Sequence, residues 1–144
     1  MEVLHEYRQG RRWIARLPYG ADLLQSLEQF AAAHDIKVGR LEVIGAVSKA
    51  VVAFYDQEKK EYGALEFNEP LEILCCTGNL SLREHTNRAH LHIILGRQDG
   101  STRGGHLMSG TIVFAAEANI EELAGPELHR GFDPRTGLPL WEKD

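Results

Sequence analysis

The sequence predicts an α+β domain: a mostly antiparallel β-sheet with one main amphipathic helix, at about residues 21–34, packed on it. Only that segment carries apolar residues at helical spacing. From Val38 to about residue 122 the chain instead consists of short runs rich in β-branched and aromatic residues, separated by turn residues. Successive strands with short connections favour antiparallel pairing. A length of 144 residues fits one domain, 1–144, with one hydrophobic core.

The first strand and the helix are predicted at the start of the chain. The strand covers residues 11–17, and Pro18-Tyr19-Gly20 ends it. Asp22 lies in the first turn of the helix, where the helix dipole favours a negative charge. The apolar stripe that should cover one face of the sheet consists of Leu23, Leu24, Leu27, Phe30 and Ala31.

The remaining strands are predicted from apolar runs between turn signals. Gly45 suggests a bulge or bend between runs 40–44 and 47–55, and a polar loop at 56–60 leads to a return strand at 61–67. An apolar run at 71–77 fits a central strand, and Gly78 marks a second bend before residues 79–82. The tail, residues 125–144, is predicted as an irregular arm that packs on the domain or on a neighbouring subunit, because it contains three prolines and only isolated apolar residues.

Composition narrows the class of protein. A formal charge of −5 does not suggest a nucleic-acid binder, since such domains usually carry a basic surface. No apolar run approaches the roughly 20 residues that span a bilayer, and the N-terminus lacks a signal-peptide pattern. The cysteines are adjacent, Cys75-Cys76, which is poor geometry for a structural disulfide and predicts two reduced, buried thiols. We therefore expect a cytoplasmic protein without a membrane partner.

Three histidines in the stretch 90–110 are predicted to converge. In an extended strand His90 and His92 point to the same face, about 7 Å apart. Asp99-Gly100 is a strong reversal signal, after which the chain returns through Gly104-Gly105 to His106. The two glycines allow close approach of neighbouring backbones. Three imidazoles without a thiolate predict a divalent metal, zinc first, held by His90, His92 and His106.

Other interpretations of these histidines stay open. The three side chains could instead be hydrogen-bonded polar residues inside a sheet or a subunit interface. If a metal is bound, Glu84 and Glu117 are candidate outer-shell partners and His85 is a candidate fourth ligand. An odd separation from His106 on one unbroken strand would count against Glu117, because it places the two residues on opposite faces.

Several segments, in this order, resemble the PPC domain (plants and prokaryotes conserved) in its stand-alone prokaryotic form. They are Gly20-Ala21-Asp22-Leu23, Leu71-Glu72-Ile73-Leu74 with Thr77-Gly78-Asn79, His90-Leu91-His92, Gly104-Gly105-His106-Leu107, Gly110, Ala116-Glu117 and Phe132-Asp133-Pro134-Arg135-Thr136-Gly137-Leu138. The resemblance implies a compact α+β domain that assembles as a homotrimer and is often labelled as DNA-binding. The AT-hook of plant relatives is missing, since Gly10-Arg11-Arg12 is its nearest counterpart and lacks the proline.

The first interpretation of function is a homotrimeric DNA-binding or regulatory protein with a three-histidine metal site. Its DNA contacts would be to phosphates, through Arg11 and Arg12 near the start and Arg97 and Arg103 beside the turn, and would be strongly salt-dependent. No nucleophile elbow, phosphate-binding glycine loop or dinucleotide fingerprint is present, so no catalytic residue is predicted. The alternative is a metal-dependent enzyme or a small-ligand-binding protein that uses the pocket at the three histidines.

Overall fold

The computed structural model describes residues 3–143 and confirms a mostly antiparallel sheet with one helix. Met1, Glu2 and Asp144, at the ends of the predicted domain, lie outside the described residues. In chain order the elements are β1 (Arg8–Leu17), α1 (Leu23–Ala33), β2 (Gly39–Asp56), β3 (Glu61–Phe67), β4 (Leu71–Arg83), β5 (Thr86–Gly96), β6 (Thr102–Leu107), β7 (Ile112–Ala124), β8 (Arg130–Phe132) and β9 (Pro139–Trp141).

The long strand β2 organises the sheet. One of its edges pairs with β3 and then β4, and the other pairs with β6 and then β7. Strand β5 joins β4 to β6, so the pairing β2-β4-β5-β6 returns to β2. Strand β1 extends the sheet beyond β7. This closed path curves the sheet around one buried apolar core and brings β5 and β6 beside the far half of β2.

The helix begins and ends within two residues of its predicted bounds. Asp22 is its N-cap, and the carboxylate accepts a hydrogen bond from the Gln25 backbone N–H at 3.0 Å. The same carboxylate accepts one from the Gly110 backbone N–H at 2.6 Å, which fixes the helix start against the β6–β7 connection. Leu23, Leu27 and Ala31 are buried and form the core-facing side of the helix.

Two glycines, Gly45 and Gly78, are predicted to bend the chain, and only the first of them does so. The bulge at Gly45 is confirmed: the β2–β4 register shifts between Val43 and Gly45, whose φ is +133°. The bend at Gly78 is wrong, because β4 continues through it from Leu71 to Arg83. A Cβ at Gly78 would overlap the carbonyl oxygen of His90 on β5. The glycine is therefore needed for close strand contact rather than for a change of direction.

The C-terminal arm is more regular than predicted, because β8 and β9 form a two-stranded sheet within it. The arm packs on the domain. The Tyr55 hydroxyl donates to the Thr136 carbonyl at 2.6 Å, and the Lys60 ammonium donates to the Pro134 carbonyl at 3.0 Å. Folding the arm back in this way places its residues 138–140 over the outer surface of the main sheet, beside β5 and β6.

Both cysteines are free thiols, as predicted, but only Cys76 is fully buried, and this burial raises its pKa to about 12. Cys75 is half-buried on the opposite side of β4. Among residues 3–143, no helix has the length and the apolar character that crossing a membrane requires.

Candidate metal centre

The three predicted histidines do converge on one point of the outer sheet surface. Strand β5 alternates, with Leu91 and Ile93 buried on the core side and His90 and His92 on the other. His106 on β6 is the direct cross-strand partner of His92. One ligand nitrogen from each of the three imidazoles lies within 4.8 Å of the other two. The arrangement therefore follows from strand alternation and from the register of two adjacent strands.

The three rings form a compact cluster but differ in their exposure to solvent. The ring centroids of His90 and His106 are 4.9 Å apart, those of His90 and His92 are 5.2 Å apart, and those of His92 and His106 are 5.7 Å apart. His90 and His106 are half-buried, whereas His92 is exposed. The cluster is thus open to a ligand or solvent on the His92 side.

Gly104 and Gly105 allow β6 to reach its neighbours closely. A Cβ at Gly104 would lie 2.7 Å from the Ile93 carbonyl oxygen on β5, and one at Gly105 would lie 2.8 Å from the Ala53 carbonyl oxygen on β2. Real Cβ atoms essentially never come so close. The glycine pair therefore sets the spacing of His106 from His92, in agreement with the close approach inferred from the sequence.

Burial and neighbouring positive charge keep two of the imidazoles neutral. Burial, followed by the nearby His106 and Arg130 and then His92, lowers the pKa of His90 to about 4. Burial, followed by His92 and Arg130, also lowers the pKa of His106. Neutral imidazole is the form that binds metals, so both rings are in the ligand form at neutral pH.

The donor set fits a divalent metal of the zinc type. The Nδ1 atom of His106 is buried and has no hydrogen-bond partner among the described residues, which is unusual for a buried polar atom. Zinc–nitrogen bonds of about 2.0–2.1 Å would bring tetrahedral imidazole nitrogens to roughly 3.3 Å from one another, a separation that the observed limit of 4.8 Å includes. His90, His92 and His106 would hold the ion, and its chemistry would be that of a Lewis acid with an open coordination position.

The other candidate ligands lie outside this cluster. His85, on the β4–β5 turn, contacts the ring of His129, with centroids 5.9 Å apart. Glu84 is its neighbour on the same turn and lines a different cavity. Glu117 lies on β7, opposite Arg16 of β1 and Ile44 of β2. None of the three is a member of the cluster formed by the described histidines.

A residue that sequence reasoning missed, Arg130 of the arm, stands beside the histidines. Its Nε donates to the Ser81 hydroxyl at 2.7 Å, its Nη2 to the Asn79 side-chain oxygen at 2.8 Å, and its Nη1 to the Pro139 carbonyl at 3.1 Å. Asn79 is the cross-strand partner of His90, so its hydrogen bond holds the guanidinium beside the histidine site. Burial lowers the pKa of Arg130. Residues 130 and 90 come together only when the chain folds, and no periodic pattern in the sequence predicts this contact.

A cavity of about 270 Å³ adjoins the histidines. His90, His106 and Arg130 line it together with Tyr62, whose ring centroid lies 5.3 Å from that of His106. The sequence predicts a return strand at 61–67 but no site role for Tyr62. Its position beside His106 follows from the pairing of both β3 and β6 with β2. The metal candidate and the cavity therefore form one continuous site.

Most of the arginines predicted to contact DNA are engaged within the protein. Arg11 forms an ion pair with Glu122 at 2.6 Å and Arg12 one with Glu121 at 2.7 Å. Arg97 pairs with Glu69 at 3.0 Å. Arg103 is exposed, and its guanidinium donates to the Thr102 carbonyl at 2.9 Å. Of the four, Arg103 is the one for which the described residues supply no ion pair. None of the four belongs to the described residues that line the cavity beside the histidines.

The fold is similar to several solved structures over nearly its whole length. A metal-containing protein from Archaeoglobus fulgidus is 42% identical, with a TM-score of 0.94 covering 98% of this chain and 99% of that one. A plant- and prokaryote-conserved (PPC) protein from Pyrococcus horikoshii is 31% identical, with a TM-score of 0.92 and coverage of 98% and 97%. A putative DNA-binding protein from Bacteroides thetaiotaomicron is 28% identical, with a TM-score of 0.85 and coverage of 95% and 97%.

Sequence comparison gives the family. The bifunctional protein GlmU of Synechococcus sp. is 33% identical over 124 residues, which are 85% of this chain. The chain spans only about a fifth of the length of the curated relatives it matches, 19% and 18%. The model of the Plants and Prokaryotes Conserved (PCC) domain matches residues 4–124. The chain therefore belongs to the Plants and Prokaryotes Conserved domain family, the family that its motifs resemble.

Proposed function

We propose that this protein binds one divalent metal ion per chain, zinc, through His90, His92 and His106. The observation that carries the proposal is the convergence of the three ligand nitrogens within 4.8 Å of one another, one of them in a ring whose buried Nδ1 lacks a partner among the described residues. A related protein, 42% identical, is described as metal-containing, which supports the same property here.

Elemental analysis of the purified protein tests this proposal. We expect about one zinc per chain after incubation with zinc and removal of the excess. The His92→Ala variant should lose it, because two imidazoles bind zinc far more weakly than three. His129→Gln is the matched control, since His129 lies on the arm and contacts Glu127 and His85 instead. Protein that takes up no metal, or a His92→Ala variant that keeps full occupancy, would contradict the assignment.

We further propose that three copies assemble into a homotrimer around an exposed apolar stripe. Ile44, Leu74, Ile94 and Phe114 are about half exposed and lie on the neighbouring strands β2, β4, β5 and β7. Such a stripe is a typical subunit interface. Light scattering should give three times the chain mass for the wild type and a smaller mass for Ile94→Lys. Phe132→Lys, which removes an exposed aromatic residue from the arm, should leave the mass unchanged. A wild-type monomer would contradict this proposal.

DNA binding or a regulatory role is the second candidate function, and it rests on the description of a relative as a DNA-binding protein. Exposed Arg103 offers a phosphate contact at the β5–β6 turn. Fluorescence anisotropy with a labelled duplex should show binding that weakens steeply with salt, and Arg103→Gln should reduce it. No binding even at low salt would exclude DNA binding.

We also propose that the protein is cytoplasmic. Its two cysteines are free thiols, and reduced thiols are typical of the cytoplasm.

A further inference from the structure

We propose that the cavity beside the three histidines binds a small organic oxyanion, and that Arg130 holds the charged group of this ligand. The inference deepens the small-ligand alternative for the histidine site and shares with the proposed function only the position of His90 and His106.

Arg130 is a part-buried cation for which residues 3–143 supply no carboxylate partner within ion-pair distance. All three of its hydrogen bonds go to neutral acceptors, namely the side chains of Ser81 and Asn79 and the carbonyl of Pro139. Its guanidinium also lies 5.4 Å from the ring centroid of Trp141. Moving a cation out of water costs free energy unless an anion or good hydrogen bonds compensate. The arrangement fixes the guanidinium while leaving its charge unneutralised.

The fixed guanidinium also keeps donors available. An arginine has five N–H groups, and three of the five are used, one on each nitrogen. Within residues 3–143, one N–H on each terminal nitrogen is left without an acceptor. Two terminal N–H donors of one guanidinium can bind the two oxygens of a carboxylate or of a phosphate group.

The charges around the cavity favour the same ligand. Among residues 3–143, its lining contains Arg83, Arg88 and Arg130 and no aspartate or glutamate. Arg83 is exposed at the rim, and Arg88 makes only a long contact, 3.4 Å, with Glu28. A metal ion on the three histidines would add further positive charge beside this cavity. A negative ligand is therefore the one that this cavity attracts, and a cation would be repelled.

The rest of the lining limits the size and polarity of the ligand. Leu138 and Leu140 of the arm and Met108 after β6 supply an apolar roof. A volume of about 270 Å³ lies just below the range of roughly 300–1,000 Å³ that is common for small-molecule sites. The cavity thus fits an anionic group attached to a short apolar body, rather than a nucleotide or a bare inorganic ion.

Isothermal titration calorimetry with two probes, hexanoate and phenyl phosphate, tests the proposal and identifies the charged group. We expect at least one of them to bind the wild-type protein, with and without added zinc. Arg130→Gln should weaken that binding about tenfold or more, since it removes a charge-assisted pair of hydrogen bonds. Arg16→Gln, which removes the same charge from exposed β1, should bind like the wild type. Preference for hexanoate assigns a carboxylate ligand, and preference for phenyl phosphate assigns a phosphate ester.

A second variant keeps the test decisive if Arg130→Gln fails to fold. Arg83 is exposed at the cavity rim, so Arg83→Gln should fold normally and still weaken binding severalfold through the lost charge. Binding of neither probe to the wild type, or equal affinities for the wild type and both cavity variants, would overturn the proposal. Metal occupancy is measured separately on the same samples, so loss of the zinc site and loss of the anion site are distinguishable.

Discussion

His92 and His106 stand directly opposite each other in the antiparallel register of β5 and β6, with ring centroids 5.7 Å apart. Because side chains alternate along a strand, a slip of one residue in this register would turn one ring towards the core. Metal binding and correct strand pairing are therefore coupled.

Zinc should stabilise the folded protein, because the three ligands meet only when β5 and β6 are paired. A ligand that binds only the native state at 100 times its dissociation constant adds about 2.7 kcal/mol to the free energy of unfolding. Chemical denaturation with and without zinc measures this gain. In His92→Ala the gain should disappear while the metal-free stability stays near that of the wild type, since His92 is exposed. A gain of the same size in His92→Ala would place the metal elsewhere.

The metal-free protein should lose stability as the pH falls from about 6.5 towards 4. The pKa of His90 is about 4 in the folded protein, compared with the ordinary value of 6.5 expected after unfolding. Between these values the unfolded chain binds more protons, so acid favours unfolding, and the stabilisation is fully present above pH 6.5. Urea midpoints at pH 7.0 and 4.5 measure the effect. His90→Gln should flatten this pH dependence, and an equally steep dependence in that variant would contradict the assignment.

Replacing Gly78 by alanine should be strongly destabilising. The added Cβ would overlap the carbonyl oxygen of His90, so β4 and β5 would have to separate. Overpacking of this kind costs about 1–3 kcal/mol or more, and zinc affinity should fall with it because His90 moves. Gly63→Ala is the control, since a Cβ there meets only the Phe54 carbonyl oxygen, at 3.9 Å. Equal unfolding free energies for the two variants would disprove the close contact.

Thr111 should contribute to stability through its hydroxyl, although it lies in a connection. It is fully buried, accepts a hydrogen bond from the Val51 backbone N–H at 3.0 Å, and lies 3.1 Å from the Met108 carbonyl oxygen. Thr111→Val leaves that N–H without its acceptor, which costs about 1–3 kcal/mol. Ser48→Ala, which removes an exposed and long contact of 3.5 Å, should change little. Thermal unfolding of both variants would show the difference, and no loss in Thr111→Val would refute it.

The sequence predicted those features that depend on local pattern. The helix at 21–34 and the bulge at Gly45 follow from periodicity and from glycine between strand-forming runs. The three histidines could be grouped because one tight turn joins their strands. Gly78 was misinterpreted as a bend, since a glycine that permits close strand contact and a glycine that turns the chain look the same in one dimension.

Long-range packing accounts for what sequence reasoning missed. Arg130 reaches the site only because the arm folds back over β4, where it meets Asn79 and Ser81. The ion pairs of Arg11 and Arg97 likewise join residues far apart in the chain, 111 and 28 positions. No periodic pattern encodes such contacts, so these arginines looked available for DNA when only the sequence was considered.

The folded-back arm divides the site between two parts of the chain. The histidines belong to strands whose pairing also holds the core together, and they fall within the matched family segment 4–124. Arg130, Leu138 and Leu140 fall outside it. In the proposed anion site, substitutions in the arm would therefore alter the surroundings of the ligand without changing the sheet that holds the imidazoles.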